Sequence, residues 1–454
     1  EEEPPDELHA ELRKHFGYRA FLPHQEQVVR QVLEAERDVL FVAHTAAGKS
    51  ICYQLPALIA PEGMITLVIS PLIALMQNQV ENLKIGRASQ VAVYLGDVPQ
   101  SAEAQKHALS GAYRLVYVTP EKLELNQQVR KELAELHRQR RVRLVAIDEA
   151  HLVNEWAGFR QAYTKIGEFC SSVLPGVRKV ALTATAPPEV RPHILRLLHM
   201  EDPHQTVLPT SRPNLQLSVL ERRDQHTSLA WLAKELTAKR QLTLIYVPSK
   251  AEAKKVATFF TSYGLRALYY FKELAEKERA EALRRFMACE LPGAEGLDVL
   301  VATVAFGMGI DNPRVRTVVH YRAPKSIESF YQEFGRAGRD GEPARCILIC
   351  NHADFNRYES DWYLKDYLPE QKAGALRSLN KLREYKANND VCRWQFLRQA
   401  FSEHQLHPCG QCDVCRAGPP GAKLDYTDVA RFLLRLLRRA SEGRPPPPPP
   451  PPPP

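Results

Sequence analysis

No apolar run in this chain of 454 residues approaches the roughly 20 residues of a membrane-spanning helix, so no spanning helix is expected. The acidic, proline-containing N-terminus lacks the basic and apolar regions of a signal peptide. Without a secretory signal, nine cysteines in so long a chain do not read as a disulfide scaffold. Nor is there a large excess of either charge. The balance of 61 basic against 53 acidic residues leaves +8, which favours a polyanionic partner without specifying one. Basic clusters such as Arg138-Gln139-Arg140-Arg141-Val142-Arg143 read first as a solvated face. A hydrophobic content of 44% over this length is enough for two or three domains with their own cores.

Three segments carry phosphate chemistry. Ala43-His44-Thr45-Ala46-Ala47-Gly48-Lys49-Ser50 follows an apolar strand and fits a relaxed phosphate loop. In such a loop backbone N–H groups wrap the phosphates, Lys49 reaches the β- and γ-phosphates and Ser50 ligates Mg²⁺. Asp148-Glu149-Ala150-His151 ends another apolar strand, where ligand sites of parallel sheets lie. There Asp148 is expected to hold Mg²⁺ through water, and Glu149 to orient or deprotonate an attacking water. Gln332-Glu333-Phe334-Gly335-Arg336-Ala337-Gly338-Arg339-Asp340-Gly341 sets two arginines three residues apart, and a helix start here would point both the same way. Planar, permanently charged guanidiniums suit the charge on a phosphate in transfer. Together these segments point to a two-lobed nucleic-acid motor driven by ATP.

Between Arg37 and about residue 200, β-rich runs at Asp38–Val42, Thr66–Ser70, Leu115–Val118 and Leu144–Ile147 alternate with helical patterns. This predicts a parallel α/β sheet covered on both faces. A second series at Leu242–Val247, Val299–Thr303 and Thr317–His320 predicts a second lobe of the same type, joined by the polar stretch Pro209–Asn214. Beyond about residue 352 the pattern turns helical. It then becomes rich in Cys, Gly and Pro, passes through a basic amphipathic segment at Asp425–Arg439, and ends in ten prolines.

Cys392, Cys409, Cys412 and Cys415 follow the spacing C-x16-C-x2-C-x2-C. Four thiolates in close pairs suit a closed tetrahedral Zn²⁺ site, with an iron–sulfur cluster as the alternative. The remaining cysteines, among them Cys52, Cys346 and Cys350, lie in apolar runs and read as core residues.

These segments resemble the RecQ family of DNA helicases over roughly residues 10 to 416. The resemblance includes Lys49–Ala57, Ser70–Val80, Ala181–Ala186, Ala302–Asp311 and the arginine segment. It implies an α/β fold of two tandem RecA-like parallel-sheet lobes followed by a small helical zinc-binding domain. The expected division is 1–208, 209–350 and 351–420, with 421–454 a short basic helix and polyproline tail. Phe16-Gly17-Tyr18 and Phe21–Gln25 look like the family's adenine segment, Tyr18 stacking on the base and Gln25 reading its edge. The implied nucleotide contacts are Tyr18, Gln25, Thr45, Ala46, Ala47, Gly48, Lys49, Ser50, Asp148 and Asp311. The implied catalytic set is Lys49, Asp148, Glu149, Gln332, Arg336 and Arg339. DNA contacts are implied at Ser70, Pro71, Gln79, Thr119, Trp156, Phe159 and Arg160, and zinc at the four late cysteines.

The chain departs from the family pattern at Leu22, His44 and Ala46, at Tyr270–Leu274, and in a loop one residue shorter between Trp156 and Phe159. After the zinc ligands, where the family commonly continues into a winged helix, only Asp425–Arg439 is helical in pattern. From this, unwinding is expected to be weak relative to ATP hydrolysis. The resemblance thus implies an intracellular, monomeric, ATP- and Mg²⁺-dependent 3′–5′ DNA helicase of repair and recombination, acting in cytoplasm, nucleoid or nucleus. Tailed or forked DNA would be its partner, with single-strand-binding or repair proteins. Three readings stay beside it: a translocating ATPase with little unwinding, a non-catalytic DNA-binding module, and an RNA helicase of the same architecture.

Overall fold

The computed structural model describes residues 6–417 except 46, 72, 85–89, 97–101, 153–160, 189, 289–295, 305, 307–311, 366, 368 and 404–406. Two wholly parallel sheets organise it. The first contains Val39–Val42 (β1), Ile65–Ile69 (β2), Ala92–Leu95 (β3), Leu115–Val118 (β4), Val142–Ile147 (β5), Lys179–Thr183 (β6) and His204–Val207 (β7). Their order is β3-β4-β2-β5-β6-β1-β7. Every residue of β1, β2 and β4 is buried, as continuous runs of Val, Ile and Leu require when helices cover both faces of a sheet. One face packs Leu40, Ile69, Val116 and Val145, the other Phe41, Val68, Tyr117 and Leu182.

The second sheet contains Leu215–Glu221 (β8), Thr243–Tyr246 (β9), Ala267–Tyr270 (β10), Val299–Ala302 (β11), Thr317–Tyr321 (β12) and Ala344–Cys350 (β13). Its order is β10-β11-β9-β12-β13-β8. In each sheet the parallel register brings the carboxyl ends of neighbouring strands to one edge, where crossover loops leave room for ligands.

The helices Pro369–Ala387 and Arg393–Ala400 have no separate core. Leu379, Leu382, Tyr385, Trp394 and Leu397 join Leu215, Phe330 and Phe334 of the second sheet's layer in one apolar cluster. The segment between the two sheets is partly inserted: Pro209 and Pro213 are exposed, but Thr210 is buried and Arg212 is 5% exposed. Cys52, Cys170, Cys346 and Cys350 are buried, as their apolar surroundings lead one to expect. No described helix is long and apolar enough to cross a membrane. The predicted helix at Asp425–Arg439 and the proline run lie outside the described residues.

Candidate nucleotide site and metal centre

β1 feeds directly into the phosphate loop, and the helix Ile51–Ile59 leaves it. Gly48 has φ +64, which strains any other residue, and the Gln25 amide nitrogen lies only 2.1 Å from where a Cβ would stand, so a side chain here would push Gln25 off the loop. Gln25 is 1% exposed. Its amide donates to the Gly48 carbonyl at 2.9 Å, while its oxygen accepts the Leu22 N–H at 2.6 Å. The residue expected to read a base thus also ties its segment to the loop. Tyr18 is 54% exposed, its ring parallel to that of Phe16 with centroids 6.4 Å apart. Lys49 Nζ donates to the Ala43 carbonyl at 2.9 Å and the His44 carbonyl at 3.4 Å, folded back on its own loop. Burial pulls its ammonium below the usual range, against the opposing charges of Glu149 and Asp148.

Asp148 lies just past β5, 9% exposed. Burial pushes its carboxyl up to about 7, with the Glu149 charge adding to the rise and Lys49 opposing it. Glu149 takes φ +51, a left-handed backbone uncommon for a residue with a side chain. Its N–H donates to Asp148 Oδ1 at 3.0 Å. Glu149 Oε2 is buried without a hydrogen bond among the described residues, 3.6 Å from His151 Nδ1. An acidic pair in this state has acceptor capacity to spare for a cation or a water.

His151, 3% exposed, connects the acidic turn to the other lobe. The Thr183 hydroxyl donates to the Thr185 carbonyl at 3.0 Å, so at 2.9 Å it accepts from His151 Nδ1–H. The opposite ring nitrogen, Nε2, is then free to accept the Gln332 amide at 2.8 Å. Sequence reasoning singled out Gln332 but gave no role to His151, although it closes the four-residue motif that begins at Asp148.

The arginines do not begin a helix as expected. The Ser326 hydroxyl accepts the Ser329 N–H, so the helix starts at Ile327 and ends at Phe334, leaving Arg336 and Arg339 in the turns that follow. The loop reaches across to the nucleotide lobe. A Cβ on Gly335 would stand 3.2 Å from Thr45 Oγ1, and the Arg339 charge acts on Lys49. Arg336 is buried, with its charge felt by Tyr246 on β9.

Of the expected DNA contacts, Ser70 and Thr119 follow the neighbouring strands β2 and β4 at the same carboxyl edge as Asp148, and Pro71 follows Ser70. Ser70 is buried, and Thr119 caps the helix Pro120–Leu125. Gln79 instead faces the phosphate-loop helix. It accepts from Gln54 at 2.8 Å and donates to Ser50 Oγ at 3.4 Å. Ala46, Trp156, Phe159, Arg160 and Asp311 lie outside the described residues.

The four late cysteines come together. Their sulfurs all lie within 4.8 Å of one another, with Cys412 and Cys392 Sγ 3.9 Å apart. A tetrahedron with metal–sulfur bonds of about 2.3 Å has edges of about 3.8 Å, so the donor set fits zinc. Backbone N–H groups of Arg393, Cys409, Cys412 and Cys415 point at sulfurs at 3.3–3.4 Å, as thiolates require.

Three family models match the chain: DEAD/DEAH box helicase over residues 22–192, helicase conserved C-terminal domain over 227–341, and RecQ zinc-binding over 353–416. An ATP-dependent DNA helicase RecQ of Pasteurella multocida is 37% identical over 437 residues, covering 95% of this chain and 65% of the relative. One of Haemophilus influenzae is 34% identical, with 66% of its length covered, so the chain spans about two thirds of these relatives. The Bacillus subtilis RecQ is 34% identical, with 95% of this chain and 70% of that protein covered. Among solved structures, the DEAD-box helicase Mss116 bound to ssRNA and UDP-BeF superposes with a TM-score of 0.62 at 16% identity, covering 88% of this chain and 86% of that one. The Mycobacterium smegmatis helicase Lhr bound to ssDNA and AMP-PNP gives 0.59 at 18% identity, covering 86% and 55%. At these identities the two structures establish the two-lobed fold alone.

Proposed function

The chain belongs to the RecQ helicases, and from that premise we propose that it is an ATP- and Mg²⁺-dependent DNA helicase. In this reading it moves 3′ to 5′ on single-stranded DNA and opens duplexes in repair and recombination, inside the cell, as a monomer that meets single-strand-binding or repair proteins. The observation that supports this best is the meeting of two lobes at one nucleotide site: the arginine loop abuts Thr45, and Gln332 bonds His151 beside the acidic pair.

Lys49, released from the Ala43 carbonyl, neutralises the β- and γ-phosphates. Ser50 and Asp148 hold the magnesium ion, which supplies charge neutralisation on the phosphate oxygens. Glu149, with an unbonded carboxylate oxygen, orients the attacking water. Arg336 and Arg339 stabilise charge on the transferring phosphoryl group. Tyr18 offers its exposed ring to the base, and Gln25 holds that segment on the loop. A strand crossing the carboxyl edge is held by its phosphates, without sequence preference, and reaches Ser70 and Thr119, both buried here, only when that edge opens. The four cysteines hold structural zinc, which metal analysis at about one zinc per chain checks.

The test is ATP hydrolysis with single-stranded DNA, duplex DNA and RNA, run beside unwinding of a duplex with a 3′ tail. Stimulation by single-stranded DNA with opening of the tailed duplex supports the reading. Stimulation without opening leaves a translocase, and preference for RNA overturns the DNA assignment.

A further inference from the structure

Arginines 336 and 339 act through the direction in which their loop aims them, and that loop has no regular structure of its own. Besides its own turn hydrogen bonds, the bond from the Gly338 N–H to the Val315 carbonyl and the Arg316–Asp340 pair, the segment between the two sheets grips it. Arg212 donates from Nη1 to the Gly335 carbonyl at 2.8 Å and from Nη2 to the Gly338 carbonyl. Asn214 adds its amide, at 2.8 Å to Gly338 and 2.9 Å to Glu342. Gly338 has φ +52, and the Asn214 amide is 2.6 Å from where its Cβ would be, so the clamp closes to the limit of contact. One gripped carbonyl immediately precedes Arg336 and the other immediately precedes Arg339.

We propose that Arg212 is a positioning residue for ATP turnover, setting the aim of Arg336 and Arg339 through the carbonyls of Gly335 and Gly338. The inference rests on the ATP-hydrolysing reading above. A guanidinium 5% exposed is costly to bury, and among the described residues no carboxylate pairs with it. A purely apolar segment would join the lobes without that cost. Arg212 also stands near the other half of the site, since its charge acts on His44 in the phosphate loop.

The clamp is itself anchored from behind. The Thr210 N–H donates to Glu403 Oε1 at 2.8 Å, its carbonyl accepts from the Tyr331 hydroxyl at 2.8 Å, and Trp394 Nε1 donates to the Leu215 carbonyl at 3.1 Å. Glu403 and Trp394 belong to the region of the four cysteines, so Arg212 stands between that region and the arginine loop. Its planar fork grips two carbonyls at once, which a lysine ammonium on a flexible stem does not reproduce.

The experiment measures kcat and KM for ATP, single-stranded DNA affinity and thermal melting for wild type, Arg212→Lys, Arg339→Ala and the double variant. Arg212→Lys is expected to lower kcat by about tenfold or more, with KM and DNA affinity changed less than about threefold. In the Arg339→Ala background the same substitution should lower kcat by a smaller factor than in wild type, because only its effect through Arg336 remains. Asn214→Ser, which withdraws one donor from Gly338, should lower kcat in the same sense by a smaller factor and takes over the test if Arg212→Lys does not fold. Unchanged kcat, an equal loss in kcat and affinity, or fully additive losses in the double variant would each overturn the role of Arg212 alone. A wild-type chain that hydrolyses no ATP would overturn the activity reading as well.

Discussion

Asp148 and Asp298 are both buried beside strands of a parallel sheet, one in each lobe. Asp298 precedes β11, at the amino end of its strand, and arginines close on it. Arg266 Nη2 meets one carboxylate oxygen at 2.8 Å, while the other oxygen accepts the Arg266 backbone N–H and Arg240 Nη1. Burial would raise this carboxyl, but the Arg266 hydrogen bonds and the two arginine charges overturn that and hold it below the usual range. Asp148 stands at the carboxyl end of β5, where burial dominates and Lys49 opposes it only in part. The same residue type, buried in both places, is a finished brace in one lobe and an under-partnered acid in the other. What separates them is the number of donors that converge, and the strand end at which they stand.

The largest effect is expected where the unfinished charge meets its cation. Lys49→Ala should abolish ATP hydrolysis while leaving the melting temperature within a few degrees of wild type; full turnover would remove the site assignment. Next comes the opposing lobe. Arg339→Ala should leave nucleotide binding nearly intact and slow hydrolysis by a factor on the order of a thousand, as for other arginine fingers. An equal loss of binding would show that Arg339 holds ground-state nucleotide instead.

Exchanging the two aspartates for asparagine tests the comparison itself. Asp298→Asn strips two arginines of their partner and should cost on the order of 2 kcal/mol, below the roughly 3–5 kcal/mol of a fully buried pair because both arginines are partly exposed. Asp148→Asn should cost little or stabilise, yet lose turnover. Equal destabilisation in chemical denaturation would erase the distinction.

The smallest effect is in pH. The raised carboxyl of Asp148 makes the folded chain bind a proton that the unfolded chain has already lost between about pH 4 and 7. Its contribution to stability, without nucleotide or metal, therefore falls as pH rises through that window and is flat above it. The depressed Asp298 contributes stability above the usual carboxylate range and loses it as pH falls through its lower folded value. Melting curves of wild type minus Asp148→Asn should slope downward from pH 4 to 7; a flat difference would show that burial does not govern the group.

Much of the site is legible in the sequence because the chemistry demands particular residues at short, fixed intervals. Lys49-Ser50, Asp148-Glu149 and the four cysteines each take meaning from neighbours a few residues away, and the strands that carry them are continuous apolar runs. The arginine segment was legible in content but not in shape. Its helix precedes the arginines because Ser326 and Gly335 set the ends, and the guanidiniums stand in turns. Arg212 was illegible as a site residue. It works on backbone carbonyls more than 120 residues away, which impose no side-chain pattern on the chain between. His151 was in view without a role, because its meaning comes from Thr183 and Gln332 together.

The apolar cluster that joins the second sheet to the cysteine region has a consequence for how the protein is made. Both apolar clusters of the first sheet draw their residues from Leu8 to Leu208, so that lobe is complete once its own segment has left the ribosome. Of the second sheet's two clusters, one is complete by Ile349, but the other runs from Leu215 to Cys415 and needs Tyr385, Trp394 and Leu397 to cover Phe330 and Phe334. At roughly 5–20 residues per second, synthesis leaves that face open for several seconds after β13 has emerged. During nascent growth the second lobe is thus the stretch that needs a chaperone's cover, and a transcript ending soon after Cys350 would yield an insoluble product.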